Sequence, residues 1–357
     1  MSNHGGRSME VNLMKKEQFV KDINVGDKID APFVVVEKKM MDFNTQKKTG
    51  EKFMLLRLRD NTGTIKAVLW ERAEQTANYV HEDTIVWVKG KTQEYKGVQI
   101  IIDEIEAIAE DIDLTPFVPS SSIGSEELKK ELRKTIKNIN NKYLTELLNT
   151  IFEDQKLLSL YLKAPAGKKV HHNYLGGLAE HSLEVIKIVS SMYQLYQDRI
   201  NWDLLVTGSL LHDIGKIYEY DLNSPSFQMT DRGKLLGHIA LGEELIRSKI
   251  DRLSYFPESL AVEIRHMILS HHGEKEWGSP EVPKTFNALC LFYGDLISSR
   301  LNQVDKLFFE AETGEQEENF NWTNFDPLMG RAFYLPQEET SEQIEGSQLS
   351  LDNLTES

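Results

Sequence analysis

The sequence predicts a multidomain chain, a small β-barrel followed by an all-helical bundle. Three observations carry that prediction. Residues 15–110 hold β-branched runs of alternating polarity, residues 111–124 are rich in proline and serine, and from Ser125 the apolar spacing becomes helical. A length of 357 residues is ample for two hydrophobic cores.

The first 14 residues, opening "MSNHGGRSME", are polar and read as a flexible end with no apolar signal-peptide core. Strand-like runs follow. "APFVVVEKKM" is apolar and β-branched, and "KFMLLRLRDNTGTIKAVLW" holds two alternating runs joined at "DNTG", a hairpin signal. "ERAEQTANYVHED" reads as one short helix. "DTIVWVKGKTQEYKGVQIIIDEIEAI" adds two more strands around a turn at Tyr95–Gly97. Five strands with a helix between the third and fourth is the order of an OB-fold. "DIDLTPFVPSSSIG" (111–124) is the expected linker. "SEELKKELRKTIKNI" then opens the helical domain, with Ser125 in the N-cap region, and helical segments continue to about residue 310. In the extension 311–357, "FNWTNFDPLMGRAFYLP" is too aromatic to be a free tail and should dock, whereas the acidic end reads as disordered. The extension is a candidate contact for another protein or subunit, including a second copy of the chain.

No run approaches 18 apolar residues, so no membrane span or membrane partner is expected. Cys290 is the single cysteine, which excludes an intrachain disulfide framework and, with no targeting signal, suggests the cytoplasm. The net charge of −15 seems to argue against nucleic acid, but its distribution does not. Residues 310–357 hold 12 acidic groups and one basic group, leaving 44 acidic and 40 basic over the rest. A nearly balanced body can carry local basic patches.

Eight of the ten histidines lie between residues 171 and 272. In "SLLHDIGKIYEY" an aspartate follows an apolar run, and such a charge is costly unless something neutralises it. Histidine and carboxylate together are the materials of a divalent-metal site, and a mixed nitrogen and oxygen set suits manganese, iron, cobalt, nickel or zinc. If His212 and Asp213 sit on a helix, they straddle one side of an ion. Asp213 has two oxygens and can bridge two ions, the arrangement for attack on phosphorus. His266, five residues before His271, falls on another helix face and reads as structural.

His181, the His212–Asp213 doublet and Asp295 resemble the signature of the HD-domain metal-dependent phosphohydrolases. His238, His271 and His272 match the further histidines of two-metal members. The resemblance implies a helical bundle in which His181, His212, Asp213 and Asp295 hold one ion. Asp213, His238, His271 and His272 would hold a second, and a metal-activated water would be the nucleophile. Lys216 is the candidate cation for substrate phosphate and transition-state charge. His171, His172 and Trp277 are candidate substrate contacts around the pocket.

The barrel points to a strand-like substrate, because OB-folds bind single strands through aromatic stacking and basic grooves. Lys38, Lys39, Lys47, Lys48 and Lys52 surround one strand connection. If Met54, Leu56 and Leu58 fill the barrel, then Phe53, Arg57 and Arg59 face outward together, with Tyr95 and Lys96 at a later turn. The barrel-then-HD order, with "HHNYLGGLAEHS", "LLHDIGKIYE", "GKLLGHI" and "LSHHGEKEWGSP", resembles the YhaM-type bacterial 3′–5′ exoribonucleases over residues 20–305. That resemblance implies degradation of single-stranded RNA, with single-stranded DNA as a second candidate, from the 3′ end with manganese. Two rivals are weighed: hydrolysis of nucleotides or cyclic dinucleotides, and a non-catalytic, metal-containing RNA-binding module. Cyclic-dinucleotide members carry "GYP" where this chain reads "GEKEWGSP", which counts against the first.

Overall fold

The computed structural model describes residues 16–43, 51–108, 113–167, 173–312 and 321–335. The expected flexible end 1–14 and the acidic end of the chain lie outside the described residues. Met1–Asp295 forms one compact unit and Leu296–Ser357 a second.

Strands β1 (Lys28–Asp42), β2 (Lys52–Asp60), β3 (Gly63–Leu69), β4 (Ile85–Glu94) and β5 (Val98–Ala107) close a barrel in the order β1-β2-β3-β5-β4. β3 and β5 pair in parallel, and β1 and β4 close the barrel antiparallel. The period-two pattern sets the register. Met54, Leu56 and Leu58 point into a core with Phe33, Val35 and Ile100, leaving Phe53 and Arg57 on the outer face. The expected hairpin at "DNTG" is present with Asp60 opposite Gly63. The helix expected over 71–83 shrinks to α1 (Ala73–Thr76), because the chain then turns to bury Val80 in the barrel core.

Of the expected linker 111–124, residues 113–124 are described, and part of it is packed. Leu114, Phe117 and Val118 are buried in the core of the helical domain, which also takes in Val34 and Ile85 of the barrel. Asn61 secures the same segment, its amide donating to the Pro116 carbonyl and its side chain to the Thr115 carbonyl. Burial of three apolar residues outweighs the prolines and serines around them.

The helical part comprises α2 (Ser125–Lys137), α3 (Lys142–Phe152), α4 (Gln155–Lys163), α5 (Gly177–Leu195), α6 (Trp202–Leu211), α7 (Lys216–Glu219), α8 (Asp231–Ile250), α9 (Glu258–Ser270) and α10 (Phe286–Glu312). Ser125 is the first helical residue of α2 rather than its cap; Gly124 occupies the cap position without a side-chain bond. Asn141, Asp154, Asn201 and Thr230 cap α3, α4, α6 and α8 through their side chains. Every residue of α6 from Leu204 to Leu211 is buried, so α6 is the central helix and carries its C-terminal residues into the interior.

The loop 221–228 fastens the barrel to the helices. Asp83 accepts from Ser224 Oγ at 2.5 Å and Gln228 Nε2 at 3.0 Å, and Arg59 donates to the Pro225 carbonyl at 3.0 Å. Within the second unit the aromatic segment does dock. Gln303 Nε2 donates to Asp326 Oδ2 at 2.7 Å, and Trp322 packs on Tyr334.

Candidate metal centre and strand-binding face

The His212–Asp213 doublet lies just past the end of α6, in the turn that leads into α7, and not on a helix as the sequence suggests. The turn needs Gly215. A Cβ there would stand 1.9 Å from the His238 carbonyl oxygen and 2.5 Å from the Gly242 amide, so its absence lets α8 approach the doublet. α8 itself breaks at Gly237, whose φ of +70° suits glycine, and restarts at His238. His181 comes from the first turns of α5, Asp295 from α10, and His271–His272 from the end of α9.

These seven side chains converge around Asp213, whose two oxygens face different neighbours. Oδ2 lies 3.4 Å from His212 Nε2 and 3.7 Å from His181 Nε2, and His181 Nε2 is 3.0 Å from Asp295 Oδ1. Oδ1 lies 3.4 Å from His238 Nε2 and 3.5 Å from His271 Nε2, and His238 Nε2 is 3.3 Å from His272 Nε2. His181, His212, Asp213 and His271 are buried; His238, His272 and Asp295 are partly exposed and open the centre to solvent.

The imidazoles are aimed by their other nitrogens. Nδ1 of His212 faces the Ser209 carbonyl at 2.9 Å, Nδ1 of His271 the Ile268 carbonyl at 2.7 Å, and Nδ1 of His272 the Trp277 carbonyl at 3.3 Å. An Nδ1–H donated to each carbonyl leaves the Nε2 lone pair directed inward. Burial holds His181 and His271 below the ordinary imidazole value, and burial with the neighbouring rings His271 and His238 drives His272 down to about 3. Burial also works against His212, but Asp213 and Asp295 outweigh it and raise its value. For Asp213 and Asp295 burial opposes ionisation. Lys216 and His212 hold Asp213 well below the carboxylate range, and His181 and His212 do the same for Asp295.

The set fits a divalent cation. Asp213 Oδ1 and His271 Nε2 are buried with no hydrogen-bond partner among the described residues. Buried polar atoms are almost always partnered, and these two lie 3.5 Å apart among converging candidate ligand atoms. His181, His212 and Asp213 form one group of converging donors; His238, His271 and His272 form another.

The remaining sequence-predicted residues fall in several places. Lys216 does not reach toward solvent. It is buried, its Nζ 2.5 Å from Asp213 Oδ2 and also donating to the Ala166 carbonyl, so it holds the carboxylate. His266 lies apart, accepting from the Lys284 amide. Trp277 is exposed on the turn Lys275–Trp277 beside His272. His171, His172, Lys47 and Lys48 lie outside the described residues.

On the barrel, Phe53 is half-buried between two aromatic rings, Phe43 at 5.0 Å and Trp70 at 4.8 Å. Trp70 is exposed, so the cluster is open to solvent. Arg57 is exposed on the same face of β2, two positions beyond Leu55 and opposite Lys66 on β3. Arg59 departs from the expected outward set. Loop 221–228 covers it, its guanidinium is bound to Pro225, and burial lowers its pKa. Tyr95 and Lys96 are exposed at the β4–β5 turn. Lys38 is occupied by the Ala77 and Val80 carbonyls, and Lys39 by Glu37.

Four residues of these sites escape the sequence reading: Lys66, opposite Arg57 on β3, and three more. Trp70 was legible, since alternation through "AVLW" places it on the outer face beside Phe53. Phe43 was not, because it follows the end of β1. Glu219, bound to His238, carried no sequence signal.

The HD domain family matches residues 178–300, and the OB-fold nucleic acid binding domain family matches residues 34–110. The chain is similar to the 3′-5′ exoribonuclease YhaM of Listeria monocytogenes serotype 4b, 33% identical over 329 residues, spanning 90% of this chain and 99% of that protein. It is also similar to the 3′-5′ exoribonuclease YhaM of Oceanobacillus iheyensis, 31% identical over 296 residues, spanning 82% and 90% respectively. No helix among the described residues is long and apolar enough to cross a membrane.

Proposed function

Because the chain belongs to the YhaM family of 3′–5′ exoribonucleases, we propose that it removes nucleotides from the 3′ end of single-stranded RNA at the Asp213 centre while the barrel retains the strand. The carrying observation is that each oxygen of Asp213 faces its own set of inward-aimed imidazoles. His181, His212, Asp213 and Asp295 would hold one divalent ion, and Asp213, His238, His271 and His272 a second. Ions bound there supply Lewis-acid stabilisation of phosphoryl oxygens and a water made acidic enough to act as nucleophile near neutral pH. The donor set mixes imidazole and carboxylate, which suits manganese, iron, cobalt, nickel or zinc, and manganese is the ion proposed.

The chain's own residues do the rest. Lys216 keeps Asp213 ionised and oriented, so its part is played through that carboxylate. Phe43, Phe53 and Trp70 offer a stacking platform for bases, with Arg57 and Lys66 beside it for phosphates. Trp277 stands at the open side of the centre, where it can stack on the terminal base. In this reading residues 15–110 retain the strand, 125–310 cleave it, and 311–357 are an extension.

The test is a 5′-labelled single-stranded RNA incubated with manganese and resolved on a gel, beside a sample carrying Asp213→Ala. A descending ladder from the unaltered protein, absent in the variant, is the expected result and fixes the polarity. Intact RNA in both, with metal verified as bound, overturns the reading in favour of a binding module. Nickel, cobalt, zinc and iron in parallel lanes identify the ion, and a DNA strand of the same sequence measures polymer preference.

A further inference from the structure

His238 differs from its neighbours in what aims it. Nδ1 of His212, His271 and His272 faces a main-chain carbonyl, whereas Nδ1 of His238 faces the carboxylate of Glu219 at 3.1 Å. The same Glu219 oxygen accepts the His238 backbone N–H at 3.0 Å. That amide needs a partner because α8 breaks at Gly237, one residue before it. One carboxylate oxygen therefore caps the restarted helix and orients its first imidazole.

Glu219 is itself held in place. It is 5% exposed. Its carbonyl accepts from the Thr230 amide at 2.9 Å, and its amide donates to the Gly215 carbonyl at 3.1 Å. A Cβ on Gly233 would stand 2.3 Å from the Glu219 carbonyl oxygen, so α8 begins in direct contact with this peptide. A buried, fixed carboxylate is an expensive way to cap a helix, since a serine or threonine would serve. It does more than cap: the same oxygen accepts from Nδ1, which fixes the Nδ1–H tautomer, and its charge makes Nε2 a stronger donor.

We infer that Glu219 is a positioning residue that acts through His238 to set the affinity of the second metal subsite, formed by His238, His271, His272 and Asp213 Oδ1. The inference rests on the two-ion reading above. The other subsite takes its aim elsewhere, His212 from the Ser209 carbonyl, and is expected to keep its ion when Glu219 is changed.

The experiment is a Mn²⁺ titration of the full-length metal-free protein followed by electron paramagnetic resonance, with bound manganese counted after desalting. The unaltered protein takes two ions and develops the spectrum of a coupled pair. In Glu219→Leu the second ion is expected to bind ~10- to 100-fold more weakly. Its first equivalent should give an uncoupled six-line spectrum at normal affinity. Glu219→Gln keeps a carbonyl acceptor for both N–H groups and recovers most of the second-ion affinity. If the unaltered protein takes a single ion, the two-ion reading falls. If it takes two and a folded Glu219→Leu takes two with unchanged affinity, the inference about Glu219 falls. Should Glu219→Leu not fold, ¹⁵N-histidine spectra of the unaltered metal-free protein decide the matter. A His238 proton on Nδ1 supports the inference and a proton on Nε2 overturns it.

Discussion

Among the described residues each domain buries one lysine–aspartate pair, and the two pairs differ in what is left over. In the barrel, Lys16 Nζ lies 3.2 Å from Asp60 Oδ2. In the helical domain, Lys216 Nζ lies 2.5 Å from Asp213 Oδ2. Both aspartates are at most 2% exposed. Asp60 is satisfied at both oxygens: Oδ2 also accepts the Val20 amide, and Oδ1 accepts the amide and hydroxyl of Thr62. Asp213 has one oxygen held by lysine, and the other faces imidazole nitrogens with no hydrogen bond among the described residues. Burial alone therefore does not separate the two aspartates; what does is that the unpartnered oxygen of Asp213 faces imidazole nitrogens.

The sharpest way to break this comparison is to change each aspartate and read both activity and stability. Asp213→Asn keeps the shape and an acceptor for Lys216 but loses the charge that both ion sites share. Turnover of RNA is expected to fall ~10³-fold or more, about 4 kcal/mol of barrier. Urea unfolding of the metal-free protein should move far less than it does in Asp60→Ala. That change strands Lys16 and two amides in the barrel and should cost about 3–5 kcal/mol. Its turnover per folded molecule, on an oligonucleotide too short to reach the barrel, should stay within a factor of a few. A large activity loss in Asp60→Ala without unfolding, or normal activity in Asp213→Asn, would dissolve the distinction.

A smaller effect separates the barrel's surface from its interior pair. Trp70→Ala removes the exposed member of the aromatic cluster and none of its core. It is expected to raise KM for a long strand by about 5- to 150-fold, the equivalent of about 1–3 kcal/mol per stacked base. kcat should hold, and KM for a di- or trinucleotide should not change. Equal losses on long and short substrates would remove the barrel face from strand retention.

What the sequence revealed follows from the reach of each interaction. The OB order of strands was legible because alternation is local, and Met54, Leu56 and Leu58 fill the barrel as their spacing required. The convergence of His181, His212, Asp213, His238, His271, His272 and Asp295 was legible through their resemblance to the HD-domain signature, since residue chemistry alone does not tell them from His171, His172 or His266. The direction of Lys216 was not legible, since a lysine three residues after an aspartate can turn back onto it or away, and here it turns back. Arg59 looked like an outward partner of Arg57 until loop 221–228, over 160 residues later, covered it. Glu219 and Lys16 both act across long sequence separations, and the proline-rich connector hid Leu114, Phe117 and Val118 among turn residues.

The finest test of the comparison is the pH response of the satisfied pair. Burial lowers the Lys16 amine from its ordinary value to about 8, with Asp60 acting against the fall. Lys16 Nζ also donates to the Pro32 carbonyl at 2.7 Å and sits 3.7 Å from the centre of the Phe33 ring. In the unfolded chain the amine titrates near ~10.4. Between about 8 and ~10.4 the unfolded chain therefore binds more protons than the folded one, so this group makes stability rise with pH across that window. The gain is present above the unfolded value and is lost as pH falls through the folded value. One proton limits it to about 1.4 kcal/mol per pH unit. Lys16→Met has no amine to titrate there, so subtracting its urea midpoints from those of the unaltered protein at pH 7.5, 8.5 and 9.5 isolates the effect. A difference that climbs with pH means the barrel bears a cationic lysine at neutral pH at a cost in stability, kept in place by a carboxylate with no capacity to spare. Parallel midpoints would mean that Asp60 fully compensates the burial, and the contrast with Asp213 would then rest on the orphaned oxygen alone.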